Sequence, residues 1–204
     1  MFTSEHNELL LYTTEMKQCH LITSTSFSSQ KGFEDILVEI FDLTKLNIQE
    51  LLINKLRNDS NSDLANDIKK QVEKGELVST TLITELIREK IIEIKNEILI
   101  IGYPRTKEQL DYLTNLLSEN GFEIIQLWIL ELNNIERLIE GKDQQVSTAM
   151  IKKFDQTKYQ NKEISELIDC PEITTKMEFE YPMEWDTYKI RSKIKDVYNT
   201  IYSK

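Results

Sequence analysis

Three observations predict an α/β fold built on a parallel sheet. Strand-like and helix-like segments alternate along the chain, the pattern of successive β-α-β units. The β-branched apolar run Ile98–Ile101 breaks off at Gly102 and passes through Tyr103-Pro104-Arg105 into a helix opening near Thr106, which reads as strand, rigid turn, helix. The chain has 204 residues, no internal repeat and no linker rich in Pro, Gly or Ser. A single domain over 1–204 is therefore expected, with an N-terminal extension over about 1–17 and a C-terminal strand and helix over about 173–202.

Element by element, a first helix is predicted over Ser4–Thr13 and a short buried strand over Cys19–Ser24. Lys31–Leu43 carries Phe33, Ile36, Leu37, Ile40 and Phe41 at helical spacing, and Ile48–Arg57 repeats the pattern with Leu51, Leu52 and Leu56 inward. After a polar break at Asp59–Asp63, Leu64–Lys74 is helical and Gly75 is its expected C-terminal cap. Thr81–Ile94 is a strongly periodic helix. Beyond the Gly102 turn, Lys107–Leu117 forms a helix closed by Asn120-Gly121, and Phe122–Leu130 the next strand. Asn133–Glu140 is a short helix, Gln145–Leu167 is largely helical with room for an interruption, and Ile173–Phe179 is the last strand. Trp185–Tyr202 closes the chain as a helix whose apolar members are Trp185, Tyr188, Ile194, Val197, Tyr198 and Ile201.

Composition excludes several classes of function. Charged residues at 29% and hydrophobic residues at 40% are typical of a soluble globular chain. No run of about 18 apolar residues occurs, so neither a membrane span nor a membrane partner is expected. Met1–Leu11 lacks the basic start of a signal peptide and the arginines of a transit peptide, and a cytoplasmic location follows as the expectation. Cys19 and Cys170 lack metal spacing and fit a reducing compartment and structural roles. A net charge of −10 argues against a broad basic face for nucleic acid. The five glycines, Gly32, Gly75, Gly102, Gly121 and Gly141, are never clustered, whereas a loop that cradles phosphate through backbone N–H groups needs several close together. His6 and His20 have no partner at catalytic or metal spacing and read as exposed or structural; no metal site is expected.

Arg105 offers a planar fork of donors suited to phosphate, placed immediately after the Gly102 turn. Gly102-Tyr103-Pro104-Arg105 together with Gln109 resembles the Asp-Gly-[Phe/Tyr]-Pro-Arg-x-x-x-Gln signature of the adenylate kinases, the nucleoside monophosphate kinase family. The resemblance extends from about His20 to Tyr159 in motif order. Glu73-Lys-Gly-Glu-Leu-Val78, Gly121-Phe-Glu-Ile-Ile, Leu130-Glu-Leu and Arg137-Leu-Ile follow in sequence. Ile151-Lys-Lys153 with Thr157 and Tyr159 then resembles the helix after the lid in short-lid members, and no long lid separates Gly141 from Val146. The resemblance implies a three-layer P-loop kinase-like domain with a short or absent lid, in which the arginine holds the AMP phosphate and the glutamine reads the adenine. The nucleotide-binding residues it implies are Lys31, Gly32, Gly102, Arg105 and Gln109.

The departures fall where that family keeps its chemistry. In Thr25-Ser-Phe-Ser-Ser-Gln-Lys-Gly-Phe33, Lys31 and Gly32 match, but Thr25 and Gln30 replace the two defining glycines of the phosphate loop, and Phe33 replaces a threonine hydroxyl. Phe27, Gln30 and Phe33 are expected to crowd that loop. Ile101 replaces the aspartate that helps hold magnesium, and Phe154 replaces an arginine. In the monophosphate half, Ile48, Gln49 and Ile53 replace a threonine, a glycine and an arginine. Losing one preorganised donor or arginine costs about 10²- to 10⁵-fold in rate.

The leading expectation is thus a catalytically degenerate adenylate kinase-like protein, binding ATP and AMP weakly or not at all and needing no cofactor. It would act as a structural subunit among other proteins of a larger assembly, and family analogy offers a ciliary or cytoskeletal setting. No residue is assigned as catalytic; Lys31 and Arg137 are the residual candidates. A second reading is a divergent nucleoside monophosphate kinase, with magnesium, Lys31 on the ATP phosphates, and Arg105 and Arg137 around the transferred group. A third is an AMP-sensing module built on Arg105 and Gln109. Against these stand plainer roles: Arg105 paired with a carboxylate, Lys31 solvated, and the cluster Met177, Phe179, Tyr181, Met183 and Trp185 as packing rather than a partner surface.

Overall fold

A computed structural model describes residues 16–25, 31–74, 78–168, 171–180 and 187–203. Its centre is a parallel sheet of five strands: β1 (Lys17–Ser24), β2 (Thr44–Asn47), β3 (Ile98–Ile101), β4 (Phe122–Leu132) and β5 (Thr174–Phe179). The strand order is β2-β3-β1-β4-β5. Ile22 pairs with Ile101 on one side of β1 and with Trp128 on the other, and Leu130 pairs with Met177. The helices are α1 (Lys31–Phe41), α2 (Ile48–Asn58), α3 (Asp63–Glu73), α4 (Thr80–Ile91), α5 (Lys107–Glu119), α6 (Ile135–Ile139), α7 (Gln144–Ile168) and α8 (Thr187–Tyr202).

Alternation along the strands divides the core between the two faces of the sheet. Cys19, Leu21, Ile98, Ile100, Leu127 and Ile129 pack under α4, α5 and α7. Ile22, Leu99, Ile101, Trp128 and Leu130 pack under α1 and α8, which contribute Phe33, Leu37, Ile190 and Ile194. Helices therefore cover both faces of a parallel sheet, the three-layer α/β arrangement of a P-loop kinase-like fold. Side chains of Ser62, Ser79 and Thr106 cap the N-termini of α3, α4 and α5, as expected for helix starts of this composition.

Several boundaries differ from the sequence reading, each for a local reason. The helix predicted to reach Leu43 ends at Phe41, where Asp42 takes a left-handed φ of 55°, and Thr44–Asn47 becomes an edge strand that sequence reading missed. In that four-residue strand only Leu46 is buried, so no alternation is visible in the sequence. The helix predicted to Ile94 stops at Ile91, and Ile92 is 70% exposed. α7 runs without interruption, and α6 is shorter than predicted. Ile173 lies in a 3-10 turn ahead of β5 rather than in the strand. On α8 the buried positions are Ile190 and Ile194, whereas Tyr188, placed on the apolar side by sequence reading, is 83% exposed. The helix over Ser4–Thr13, the Gly75 cap, His6, Cys170, and Tyr181, Met183 and Trp185 lie outside the described residues. Among the described residues no helix is long and apolar enough to cross a membrane.

Candidate functional site

β1 and β3 are neighbours, yet the helices that follow them leave on opposite faces, α1 toward one and α5 toward the other. Such a topological switch point opens a crevice beyond the carboxyl ends of the two strands, the usual ligand position in open α/β sheets. Gly102 stands at its edge, where its N–H donates to the carbonyl of Ile22 on β1 (3.2 Å). The Gly102–Gln109 turn thus lies on one side of this position and the carboxyl end of β1 on the other.

The β3–α5 wall is a compact polar turn. Gly102 adopts φ +79°, a conformation suited to glycine, and a Cβ there would stand 3.7 Å from Arg105 Nη2. Tyr103 is buried, its hydroxyl 3.3 Å from Thr84 Oγ1 on α4, and the Tyr103–Pro104 peptide is cis. Arg105 Nε donates to the Gly102 carbonyl (3.0 Å), which aims the guanidinium back across the turn. Thr106 caps α5 by accepting from the Gln109 N–H (3.3 Å), and Gln109 Oε1 accepts from the Arg105 N–H (2.8 Å). Gly102, Arg105 and Gln109 are therefore brought together. The Gln109 carboxamide oxygen, expected to read a base, instead completes the start of the helix, leaving its NH2 as the group that can face a ligand. No carboxylate pairs with Arg105 among the described residues, so the plainer role considered for it has no partner here. Its guanidinium keeps solvent access while the surrounding walls desolvate it and draw its pKa below the ordinary arginine value; the group stays cationic at neutral pH.

The β1–α1 wall has a different character. Residues 26–30, with Phe27 and Gln30, and the side chain of Lys31 lie outside the described part. Thr25, standing where the first glycine of a phosphate loop falls, is 1% exposed and continues the sheet: its N–H donates to the Leu130 carbonyl (2.9 Å) and its Oγ1 accepts from the Leu132 N–H (3.0 Å). Gly32 is exposed in the first turn of α1, and a Cβ added there would meet nothing within 4 Å. Phe33, expected to crowd the loop 26–30 that lies outside the described residues, is itself a core residue. It is 0% exposed and packs edge-on against Trp128, ring centroids 5.6 Å apart. Glu34, also in the first turn of α1, is buried and paired with Lys45 of β2 (3.2 Å), and burial raises its pKa above the usual carboxylate value. A carboxylate in that turn satisfies the positive end of the helix dipole from within the chain.

Sequence reading missed a polar anchor beneath this wall. Asn161 of α7 is 2% exposed. With its carboxamide turned so that both ends are satisfied, its nitrogen donates to Thr23 Oγ1 (2.5 Å) and to the Thr157 carbonyl (3.3 Å), and its oxygen accepts from the Thr25 N–H (3.2 Å). The signal was present: Thr157 and Asn161 interrupt the apolar stripe of Phe154 and Ile164 at helical spacing. Polar residues on a buried stripe need partners, and the end of β1 supplies them.

Of the remaining substituted positions, Ile48, Ile101 and Phe154 are apolar and packed, whereas Gln49 and Ile53 are exposed. Ile101 is 4% exposed at the end of β3. Phe154 is 5% exposed and clusters with Leu132 and Ile135, seating α6 on α7. Ile48 is buried in the core, and Ile53 of α2 is 39% exposed. Gln49 is exposed, and its N–H, like that of Glu50, is capped by Asn47 (3.0 and 3.2 Å). Arg137 is exposed on α6, with no ion pair among the described residues and no bond to Gly102, Arg105 or Gln109. Magnesium beside a nucleotide needs oxygen donors. Phe33 and Ile101, at the two positions where such donors are expected, offer none, so these residues do not fit the metal. Among the described residues no group of three His, Cys, Asp or Glu side chains could hold a metal ion. A groove of about 680 Å³ runs between α5 and the end of α7, lined by Leu117, Phe122, Ile124 and Ile168, and contains none of the site residues predicted from sequence.

A parallel sheet with a switch-point crevice, an exposed arginine on one wall and a short α6–α7 connection without a lid defines the class: an α/β protein of P-loop kinase-like fold. No family model matches the chain. Individual relatives do. The chain is 28% identical over 121 residues to an adenylate kinase of Thermococcus onnurineus, covering 58% of this chain and 53% of the relative. It is 35% identical over 78 residues to an adenylate kinase of Thermococcus sibiricus (37% and 35%), and 32% over 92 residues to one of a Wolbachia of Drosophila simulans (45% and 42%). The matched stretches span about half or less of those relatives. The chain is adenylate kinase-like.

Proposed function

We propose that this protein is a catalytically degenerate adenylate kinase-like chain. In this reading the half of the crevice that would carry out phosphoryl transfer is closed, a weak phosphate-binding arginine persists at Arg105, and the chain serves as a structural component of a larger protein assembly. One observation carries the reading: Phe33, Ile101 and Phe154, at the positions where the resembled family has polar groups for phosphate and metal, are 0%, 4% and 5% exposed and belong to the hydrophobic core. Transfer depends on positioning and charge neutralisation around the moving phosphoryl group, and apolar side chains turned into the core supply neither. The assembly role is motivated by the retention of the fold alongside the loss of those groups; its ciliary or cytoskeletal setting rests on family analogy alone.

A coupled ADP-formation assay together with calorimetric titration tests this reading. No turnover is expected with ATP, magnesium and AMP. Any AMP binding should weaken about 10- to 100-fold in Arg105→Ala, the effect of one charge-assisted hydrogen-bond set. Turnover in the parent that Lys31→Ala abolishes would overturn the reading in favour of the second one, a divergent nucleoside monophosphate kinase using magnesium. That alternative is favoured by the similarity to adenylate kinases over 121 residues. AMP binding without turnover, lost in Arg105→Ala, would select the sensing module. Recovery of the chain alone, with no stoichiometric partner, from native extract would remove the assembly role.

A further inference from the structure

His20 lies in the middle of β1, 0% exposed, on the face covered by α1 and α8. Its ring meets Phe41 of α1 edge-on, centroids 4.4 Å apart, and stacks on Trp128 of β4 at 6.4 Å. Trp128 Nε1 donates to His20 Nδ1 (3.3 Å), so the ring proton sits on Nε2, and that buried nitrogen has no hydrogen-bond partner. The same aromatic layer holds the C-terminal helix: Phe41 lies 5.2 Å from Tyr198 and 6.2 Å from Tyr202 of α8. The Tyr202 hydroxyl reaches Gln18 and donates to Glu97.

A second proton on His20 would face the Trp128 N–H, donor against donor, and place a cation in an apolar layer. The titratable groups on the packed elements are Glu34, Asp35, Glu39 and Asp42 from α1 and its end, Glu123 and Glu131 from β4, Glu97 ahead of β3, and Lys189, Arg191, Lys193, Lys195, Asp196, Tyr198 and Tyr202 from α8. None of these, and no other described carboxylate, bonds to the imidazole. We propose that His20 is an acid-sensitive latch, whose protonation unseats α8 and loosens α1 while the face under α4, α5 and α7 stays packed.

The sign and the window follow from the groups involved. Burial holds the His20 pKa down at about 3 from an ordinary 6.5, so the unfolded or opened chain binds the proton more readily, and stability is lost as pH falls below 6.5. Glu34 and Glu97 act oppositely, because burial raises their values above 4.5 and acidification favours their folded forms. Glu39, Asp59 and Glu178, held low by Arg191, Lys55 and Asn133 respectively, weaken the fold only below the ordinary carboxylate range. Between pH 6.5 and 4.5, His20 is therefore the described group whose titration opposes the fold.

The test is urea unfolding of the full chain at pH 7.5, 6.5, 5.5 and 4.5, with amide hydrogen exchange at each pH. The folding constant is expected to fall by up to about tenfold per pH unit below 6.5, less where Glu34 and Glu97 titrate, and α8 amides should lose protection at a higher pH than α5 amides. His20→Phe should flatten the pH dependence. His20→Gln, which keeps an acceptor for Trp128, should flatten it too and serves if the phenylalanine fails to fold. An unchanged slope in a folded variant, a flat parent, or equal loss of protection on both faces would overturn the latch.

Discussion

At the β3–α5 turn the polar groups face one another and the solvent. Gly102 bonds to β1, Arg105 to Gly102, Gln109 to Arg105, and a guanidinium is left exposed with no carboxylate beside it among the described residues. Across the crevice, at the β1–α1 wall, the corresponding positions face inward: Thr25 extends the sheet, Phe33 packs on Trp128, and Glu34 is spent on Lys45. Of the predicted site residues at the β3–α5 turn, Arg105 is the one that carries an exposed charge with no ion pair among the described residues. Apolar side chains at Phe33 and Ile101 join the core and help to stabilise it, whatever chemistry the neighbouring turn supports.

The sharpest way to break this comparison is to place a polar group among the inward-facing positions. Ile101→Asp places a carboxylate at a position 4% exposed and without a partner, and should cost about 3–5 kcal/mol in urea unfolding at neutral pH. Because burial raises the carboxyl pKa, the loss should shrink as pH falls through the aspartate range. A stable variant that gained affinity for magnesium–ATP would show that the wall is open after all. Phe154→Ala comes next, at about 3–4 kcal/mol, with selective loss of amide protection in α6, since Phe154 seats that helix. A cost below about 1 kcal/mol would mean that α6 is held otherwise. The smallest effect belongs to the polar wall. Gln109→Ala removes one bond to the Arg105 N–H and should cost about 1 kcal/mol in thermal or urea unfolding. A neutral outcome would free the Gln109 carboxamide for the base-reading role that the family resemblance implies.

How much of this was legible follows the distance along the chain over which each feature is decided. The Gly102 turn, the Thr106 cap and the strand Ile98–Ile101 depend on residues within a few positions of one another, and their chemistry reads directly from the sequence. Edge strand β2 did not, because four residues with one buried side chain carry no period. The set of substituted positions was also legible, but its meaning was not. That Phe33 packs in the core was not readable from its neighbours, since its environment is set by Trp128 on another strand.

By itself, the sequence determined the alternation of elements, the parallel sheet and the rigid turn bearing Arg105. Only the tertiary structure decided that Asn161 ties α7 to β1 across 138 residues, and that His20 meets Trp128 across 108. Local propensity and periodicity act within a turn or a strand and are written in neighbouring residues. Burial and hydrogen-bond pairing depend on which distant side chains the fold brings within a few ångströms, and that exists only once the sheet has closed its layers.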